Sequence, residues 1–336
     1  MSFSRHALPL FLSSGLLLTG CAGLIQQVST ELGGRAAKLK PVTVTQSGFG
    51  NTAPAGETTA PKQVEFEAGQ PIHGWLTVNE TLRDIPNQNV YVSMFWTANP
   101  ALSDPQKLKE YVQVQDAAYK PDWKELESGG GSRWRHDFKI PEAQAAQKTF
   151  AQPFLVPEIG AEDDHRLWLL NKLAAGTANR SRFTVLVRYS WSGGNETRYD
   201  AYDHFLLDTG KGSYDAMLLA VGSKVTIPNP QKVDAALEKE ILQAANLKWG
   251  PTEKKTYFKA ILNAADWARV TSGTDGSLVG RSIDVWLLAR SKDKKACYAE
   301  PMEAEQQHMS GGVFGQAVVD DRENIYRVDC ARFKGM

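Results

Sequence analysis

The stretch RFTVLVRYSW (residues 182–191), followed by SGGNE (192–196) and TRYDAYDHFLL (197–207), decides the fold class. Its two arms are rich in β-branched and aromatic residues, and a glycine-rich turn separates them, which is a strong β-hairpin signal. Successive side chains of a strand point to opposite faces. In the first arm one face therefore carries the large apolar residues Phe183, Val185, Val187 and Tyr189. The pattern predicts a half-buried antiparallel strand pair.

Further segments around this hairpin have the composition of strands, namely PIHGWLTV (71–78), NVYVSMFW (89–96) and RWRHDFKI (133–140). Two stretches between them favour helices. SDPQKLKEYVQVQDAAY (103–119) has a capping-box spacing and an early proline, and AEDDHRLWLLNKLAAG (161–176) begins with acids and ends at a glycine. We therefore predict a β-rich, sandwich-like antiparallel domain at residues 63–225, with inserted helices.

The segment GSKVTIPNPQ (222–231) suggests a boundary before a second, smaller domain at residues 229–336. Apolar residues at helical spacing predict one helix from Asn229 to about residue 247 and a second over residues 253–265. Alternating segments follow as far as residue 330 and predict four or five antiparallel strands. Two helices before such a sheet indicate a small α+β domain, so the predicted fold class of the whole chain is α+β.

The N-terminal stretch LLLTGCAG (residues 16–23) contains a cysteine at the end of a short apolar run. The run covers residues 7–18, whereas a helix needs about 20 apolar residues to cross a bilayer, so residues 1–20 are typical of a secretory signal. The sequence Leu18-Thr19-Gly20-Cys21 resembles the lipobox of bacterial lipoproteins. This resemblance is confined to residues 1–23.

The lipobox resemblance implies cleavage before Cys21 and acylation of this residue, which makes the lipid bilayer a partner of the chain. Ala22 follows the cysteine where an aspartate would favour retention at the inner membrane. The expected location is therefore the periplasmic face of the bacterial outer membrane. Residues 21–62 are rich in Gly, Ala, Thr, Pro and Lys and are predicted to form a flexible, lipid-anchored tether.

The other two of the three cysteines are Cys297 and Cys330. In an oxidising compartment such a pair favours a disulfide, although two reduced thiols or a metal pair are the alternatives. The formal net charge is zero, which does not favour nucleic-acid binding. No sequence motif for a catalytic nucleophile, a metal or a cofactor is present, so we predict no catalytic residue, no metal and no cofactor.

One cluster in the second arm of the hairpin has the residue types of a binding or catalytic site, namely Asp200, Asp203 and His204. These side chains are possible metal ligands or a base with its orienting acid. In an alternating strand Asp200 and His204 share one face and Asp203 lies on the other, which weakens the hypothesis. The pairs His136–Asp137 and Asp163–His165 are interpreted as strand and helix-start residues.

Three functions are compatible with these features. We favour a non-enzymatic binding or assembly module of the cell envelope, with an envelope protein as a possible partner. The first alternative is a periplasmic hydrolase that acts on cell-wall or carbohydrate material through the Asp200, Asp203 and His204 neighbourhood. The second is a carrier of hydrophobic ligands, with a pocket beneath Trp286 and Phe258.

Overall fold

The computed structural model describes residues 42–54, 62–85, 88–160, 162–177, 182–192, 198–322 and 324–334. They all belong to one compact unit, Pro41–Met336. The predicted signal, Cys21 and the turn at residues 193–197 lie outside the described residues. Within the described ranges, no helix combines the length and the apolar character that crossing a bilayer requires.

The elements of the described residues are as follows. The strands are β1 (Val44–Gly50), β2 (Glu65–Ala68), β3 (Ile72–Val78), β4 (Asn89–Thr97), β5 (Ser132–Lys139), β6 (Thr149–Leu155), β7 (Arg182–Ser192), β8 (Arg198–Gly212), β9 (Lys255–Leu262), β10 (Ala268–Thr271), β11 (Leu278–Ser291), β12 (Cys297–Gln307), β13 (Val318–Arg322) and β14 (Tyr326–Val328). The helices are α1 (Pro105–Ala117), α2 (Lys124–Ser128), α3 (Glu142–Ala145), α4 (Asp164–Thr177), α5 (Asp215–Lys224), α6 (Ala235–Lys248) and α7 (Gly250–Glu253).

Two sheets in the first part of the unit pack face to face. Their strand orders are β1-β3-β6 and β2-β8-β7-β4-β5. The ring of Phe49 on β1 lies 4.9 Å from that of Phe205 on β8, and the ring of Phe154 on β6 lies 6.5 Å from that of Tyr189 on β7. These contacts form the centre of a sandwich. The predicted α+β class with a β-rich first part is therefore confirmed.

One pairing in the sandwich departs from the predicted antiparallel arrangement. β2 runs parallel to β8, with Glu65 opposite Leu206. The strand before β2 in the chain, β1, belongs to the other sheet. Because β1 and β2 belong to different sheets, β2 is not paired with the strand before it, and a hairpin does not impose an antiparallel direction on it.

The predicted hairpin is confirmed, but its first arm is buried more fully than expected. β7 pairs antiparallel with β8, with Trp191 opposite Tyr199. Every residue of β7 from Phe183 to Trp191 is buried. The outer face is covered because Leu186 packs with apolar side chains of α1 and α2 in a separate hydrophobic cluster.

The third sheet has the order β10-β11-β12-β13, with β9 paired to β11 and β14 paired to β12. The predicted helix over residues 253–265 is wrong, because its centre is the strand β9. The preceding helix, α7, is terminated by Lys254, which has a left-handed φ of 52°. Tyr257 packs towards α6, whereas Phe258 contacts Phe333 on the opposite face. Because both faces of β9 are covered, its apolar residues do not follow a simple two-residue period.

The predicted helix from Asn229 begins later than expected. α6 starts at Ala235, where the Asp234 carboxylate accepts a hydrogen bond from the Leu237 amide at 3.1 Å. Leu237, Ile241 and Ala245 bury one side of α6 against the third sheet. The opposite face of that sheet belongs to the main core cluster together with residues of α4 and α5. Residues from both predicted domains therefore contribute to one core.

Part of the predicted tether is an ordered strand. β1, which lies within residues 21–62, pairs along its length with β3, with Phe49 opposite Gly74. Phe49 is fully buried. The stretch has few large apolar residues, but the Phe49 ring anchors it in the sandwich. The neighbouring glycines leave space for the Trp75 indole. A Cβ on Gly48 would lie 2.6 Å from that indole.

Candidate functional site

The three predicted site residues of β8 do not converge. Asp203 points into the sandwich and is only 5% exposed, whereas Asp200 is exposed and His204 is half-buried on the outer face of the strand. The Asp203 carboxylate accepts hydrogen bonds from the Ser47 hydroxyl at 2.8 Å and from the Lys62 ammonium at 2.6 Å. Asp203 therefore joins β8 to β1 and to the chain that precedes β2.

The surroundings of Asp203 are those of a structural polar group. Burial, and then the nearby Asp203 charge, raise the pKa of the Tyr189 hydroxyl well above its usual range. This hydroxyl is buried and has no hydrogen-bond partner among the described residues. A Cβ on Gly74 would lie 2.7 Å from it, so the two sheets approach closely here. The arrangement leaves little space for a substrate beside Asp203.

His204 lines a small cleft of about 350 Å³ between β8 and the start of α1. Two acids also line this cleft, Asp104 and Asp203. Asp104 caps α1 by accepting hydrogen bonds from the amides of Gln106 and Lys107 at 2.9 and 3.0 Å. Because one acid is engaged with the helix backbone and the other inside the sandwich, the cleft does not supply a histidine–carboxylate pair.

A larger cleft, of about 690 Å³, lies where α5, the β11–β12 turn and β14 meet. We refer to it as the disulfide cleft, because Cys330 forms part of its wall. The lining residues are Leu219, Ser223, Lys295, Arg327, Val328, Asp329, Cys330 and Arg332. They come from three separate segments of the chain, so no local motif marks this cleft in the sequence.

Cations outnumber carboxylates in the disulfide cleft. Its lining includes Lys295, Arg327 and Arg332 but a single acid, Asp329. The Arg332 guanidinium is held by the carbonyl oxygens of Gly222 and Val225, at 2.9 and 2.7 Å, and its charge is not balanced by those neutral groups. Such a concave, positively charged surface attracts anionic groups.

Neighbouring residues alter the positive charge of the disulfide cleft: one acid offsets part of it, and exposed lysines add to it. Arg327 lies 3.5 Å from the carboxylate of Asp215, which offsets part of its charge. Lys295 is exposed at the end of the β11–β12 turn, and Lys292 and Lys294 are exposed in the same turn. The turn therefore presents ammonium groups to solvent beside the cleft.

The predicted disulfide is confirmed. Cys297, at the start of β12, is bonded to Cys330, and their Cα atoms are 5.2 Å apart. Cys297 pairs with Val328 in the sheet, so the bond reinforces the β12–β14 contact. The disulfide thereby fixes the last described turn of the chain as one wall of the cleft.

Two histidines from distant segments of the sequence lie together. The rings of His136 on β5 and His165 on α4 are 4.4 Å apart between centroids. The Trp134 indole stacks on His136 and donates a hydrogen bond to the carbonyl oxygen of His165 at 2.8 Å. Burial, and then the proximity of His165, lower the pKa of His136. No sequence spacing relates these residues, because the contact is made between a strand and a helix distant in the chain.

A network of charged side chains is buried between β9, β12 and β13. Glu300 is fully buried and accepts hydrogen bonds from Lys255 at 2.7 Å, from Arg322 at 2.9 Å and from the Tyr257 hydroxyl at 3.0 Å. Glu253 forms ion pairs with the same Lys255 and Arg322. Two carboxylates and two cations compensate each other here, which indicates a structural role.

Trp286 and Phe258 line the core instead of a ligand pocket. The Trp286 ring stacks on Tyr326 at 6.0 Å, and the Phe258 ring meets Phe333 edge-on at 5.4 Å. Both side chains pack against the main core cluster. This packing does not support a hydrophobic-ligand pocket beneath the two residues.

Comparison with known proteins does not assign this chain to a family. No protein-family model and no curated protein matches it. One solved structure aligns with this chain, a crystal structure of Salmonella alpha-2-macroglobulin reacted with methylamine. The alignment covers 84% of this chain and 16% of the macroglobulin chain, with 6% sequence identity and a TM-score of 0.22. A similarity of this size shows neither the family nor the fold. Within the described residues, no group of three or more His, Cys, Asp or Glu side chains is arranged to hold a metal.

Proposed function

We propose that this chain is a lipid-anchored, non-enzymatic binding module of the bacterial cell envelope, attached through Cys21 to the periplasmic face of the outer membrane. The observation that carries the anchor is the sequence Leu18-Thr19-Gly20-Cys21, which resembles a lipobox at the end of a short apolar run. The diacylglyceryl group and an acyl group on the new N-terminus together attach the protein stably to the membrane. A single acyl group would bind the membrane only weakly. Ala22 favours the outer membrane.

The disulfide between Cys297 and Cys330 supports the same compartment independently of the anchor. Disulfides form and persist in oxidising environments such as the bacterial periplasm and are rare in the cytosol. A chain that carries both a lipobox-like sequence and a disulfide in its folded body fits the periplasmic side of a membrane.

Binding is favoured over hydrolysis because the polar residues of β8 are separated. Asp203 is engaged with Ser47 and Lys62 inside the sandwich, whereas His204 lies on the outer face. The disulfide cleft instead offers a cavity of about 690 Å³ with an excess of cations in its lining. We propose that it receives an acidic segment of an envelope protein, whose carboxylates pair with Lys295 and its neighbours.

The lipid anchor is tested by expressing the full chain in a Gram-negative host fed with an alkyne analogue of palmitate. We expect label on the wild type in the outer-membrane fraction and no label on Cys21→Ala. The variant Ala22→Asp is the matched control, because it should keep the label and move to the inner-membrane fraction. Equal labelling of the wild type and Cys21→Ala contradicts the anchor.

The cleft is tested with a synthetic glutamate-rich peptide and the purified full chain. A solvent-exposed ion pair contributes up to about 1 kcal/mol, so replacing one cation by an acid should weaken binding roughly two- to fivefold. We expect this loss for Lys295→Glu, and we expect binding by the wild type to weaken with salt. Lys109→Glu, in the α1 cleft, is the control and should bind like the wild type. Equal binding by Lys295→Glu and the wild type contradicts the proposed cleft.

A further inference from the structure

The imidazole rings of His136 and His165 form a pair that the proposed function does not use. His136 is half-buried and His165 is exposed, so each reaches solvent. Within the described part of the chain, no residue is hydrogen-bonded to a ring nitrogen of either histidine; the partner of Trp134 is the backbone carbonyl of His165. Ring nitrogens with this access are available to a ligand.

The distance between the two rings fits a shared metal ion. A metal bound about 2.0 Å from an imidazole nitrogen lies about 3.2 Å from the ring centroid. Two such rings are about 4.5 Å apart between centroids at a 90° ligand angle and about 5.2 Å apart at a tetrahedral angle. The observed separation is 4.4 Å, close to the value for a 90° ligand angle.

Ligand angles near 90° are typical of square-planar and tetragonal metals with nitrogen and oxygen ligands, that is Cu²⁺ or Ni²⁺. Cu²⁺ is also the strongest binder of the divalent first-row series. We propose that His136 and His165 form a two-histidine site for Cu²⁺, with water as the remaining ligands. The Asp163 carboxylate does not count as a third ligand, because it forms an ion pair with Arg166 at 2.8 Å.

The fold holds the His136 ring and the backbone of the α4 turn that carries His165 without the metal. His136 stacks on Trp134 and meets Phe138 edge-on, with ring centroids 5.9 and 4.5 Å away. His165 lies in the first turn of α4, and the neighbouring Asp164 accepts a hydrogen bond from Asn324 at 2.6 Å. Because the His136 ring is already held by its aromatic neighbours, its ordering adds little entropic cost to binding.

The site is tested with the purified full chain, stripped of metals by a chelator and titrated with copper(II) sulfate at pH 7.5. We expect one bound equivalent whose electron paramagnetic resonance spectrum shows coupling to two nitrogens. His136→Gln and His165→Gln should each bind at least about tenfold more weakly, since loss of even an indirect supporting partner of a metal ligand costs 10–100-fold. His204→Gln, in the α1 cleft, is the control and should keep the wild-type affinity.

Copper binding by His136→Gln and His165→Gln decides whether the two histidines form the site. Wild-type affinity and spectrum in His136→Gln or His165→Gln overturn the proposal, as does the absence of a two-nitrogen spectrum from the wild type. Because His136 packs between aromatic rings, its variant is first checked by circular dichroism. If it does not fold, His165→Gln alone decides, since that side chain is on a solvent-facing helix turn.

Discussion

Gly222 on α5 lies directly against the backbone of β14: a Cβ on Gly222 would be 1.8 Å from the carbonyl oxygen of Arg327. The obstructing atom belongs to the backbone of a paired strand, so it cannot rotate away. Gly222→Ala must therefore push α5 from β14. Although alanine is the better helix former, overpacking of a buried contact typically costs about 1–3 kcal/mol. We expect Gly222→Ala to lower the free energy of unfolding by about 2 kcal/mol in urea titrations.

Gly273→Ala is the matched control for this substitution. A Cβ on Gly273 would meet no atom within 4 Å, and the residue lies in the exposed turn between β10 and β11. We expect its stability to equal or slightly exceed that of the wild type. If both variants unfold at the same urea concentration, the close contact between α5 and β14 does not limit the stability of the protein.

Removing the disulfide should destabilise the chain through the unfolded state. The bond joins residues 33 positions apart, and the chain-entropy model assigns roughly 3–4 kcal/mol to a closed loop of this length. We expect the double variant Cys297→Ala/Cys330→Ala to lose about this much, measured by urea unfolding under non-reducing conditions. The wild type treated with a reductant should unfold at the same urea concentration as the variant. No change on reduction would contradict this contribution of the bond to stability.

The elements that the sequence predicts correctly are those whose signals are local. The β7–β8 hairpin was predictable because both arms and the turn between them carry their own pattern over residues 182–207. The strand β9 was not predictable, because α6 covers Tyr257 on one face and Phe333 covers Phe258 on the other. When both faces of a strand are buried, apolar and polar residues no longer alternate along it. Burial of β7 on both faces likewise depends on α1, which is remote in sequence.

The candidate sites illustrate the same limit. Strand alternation correctly separated Asp203 from Asp200 and His204, because that property depends on one strand only. The contact between His136 and His165 depends on how α4 packs against β5, and no spacing in the sequence encodes it. The disulfide was the one long-range relationship that cysteine content alone could suggest.

The buried network around Glu300 should contribute to the free energy of unfolding. Glu300→Gln keeps the size of the side chain but leaves Lys255 and Arg322 with one carboxylate in place of two. Removing one partner from a buried ion pair typically costs about 3–5 kcal/mol, because an uncompensated charge remains in the interior. Glu253 still pairs with both cations, so we expect a loss of about 3 kcal/mol in urea unfolding.

Glu303→Gln provides the comparison for that variant. Glu303 lies on the same strand, β12, but is exposed. Substitutions at such surface positions usually change stability by less than about 0.5 kcal/mol. A loss for Glu303→Gln as large as that for Glu300→Gln would show that the net charge of the protein, and not the buried network, determines the effect.

His73 on β3 should make stability depend on pH. Burial lowers its pKa from 6.5, against the smaller opposing effect of Glu158, and its Nδ1 atom is buried without a hydrogen-bond partner among the described residues. Below about pH 6.5, His73 is therefore protonated in the unfolded chain but still neutral in the folded chain. As a result, the free energy of unfolding falls as the pH decreases towards the lowered pKa. In His73→Gln this contribution disappears, so the fall in stability between about pH 7.5 and pH 5 should be smaller than in the wild type. Urea unfolding of both proteins across this range measures the difference, because all other groups titrate in both chains. Parallel stability curves for the two proteins would show that folding leaves the pKa of His73 unchanged.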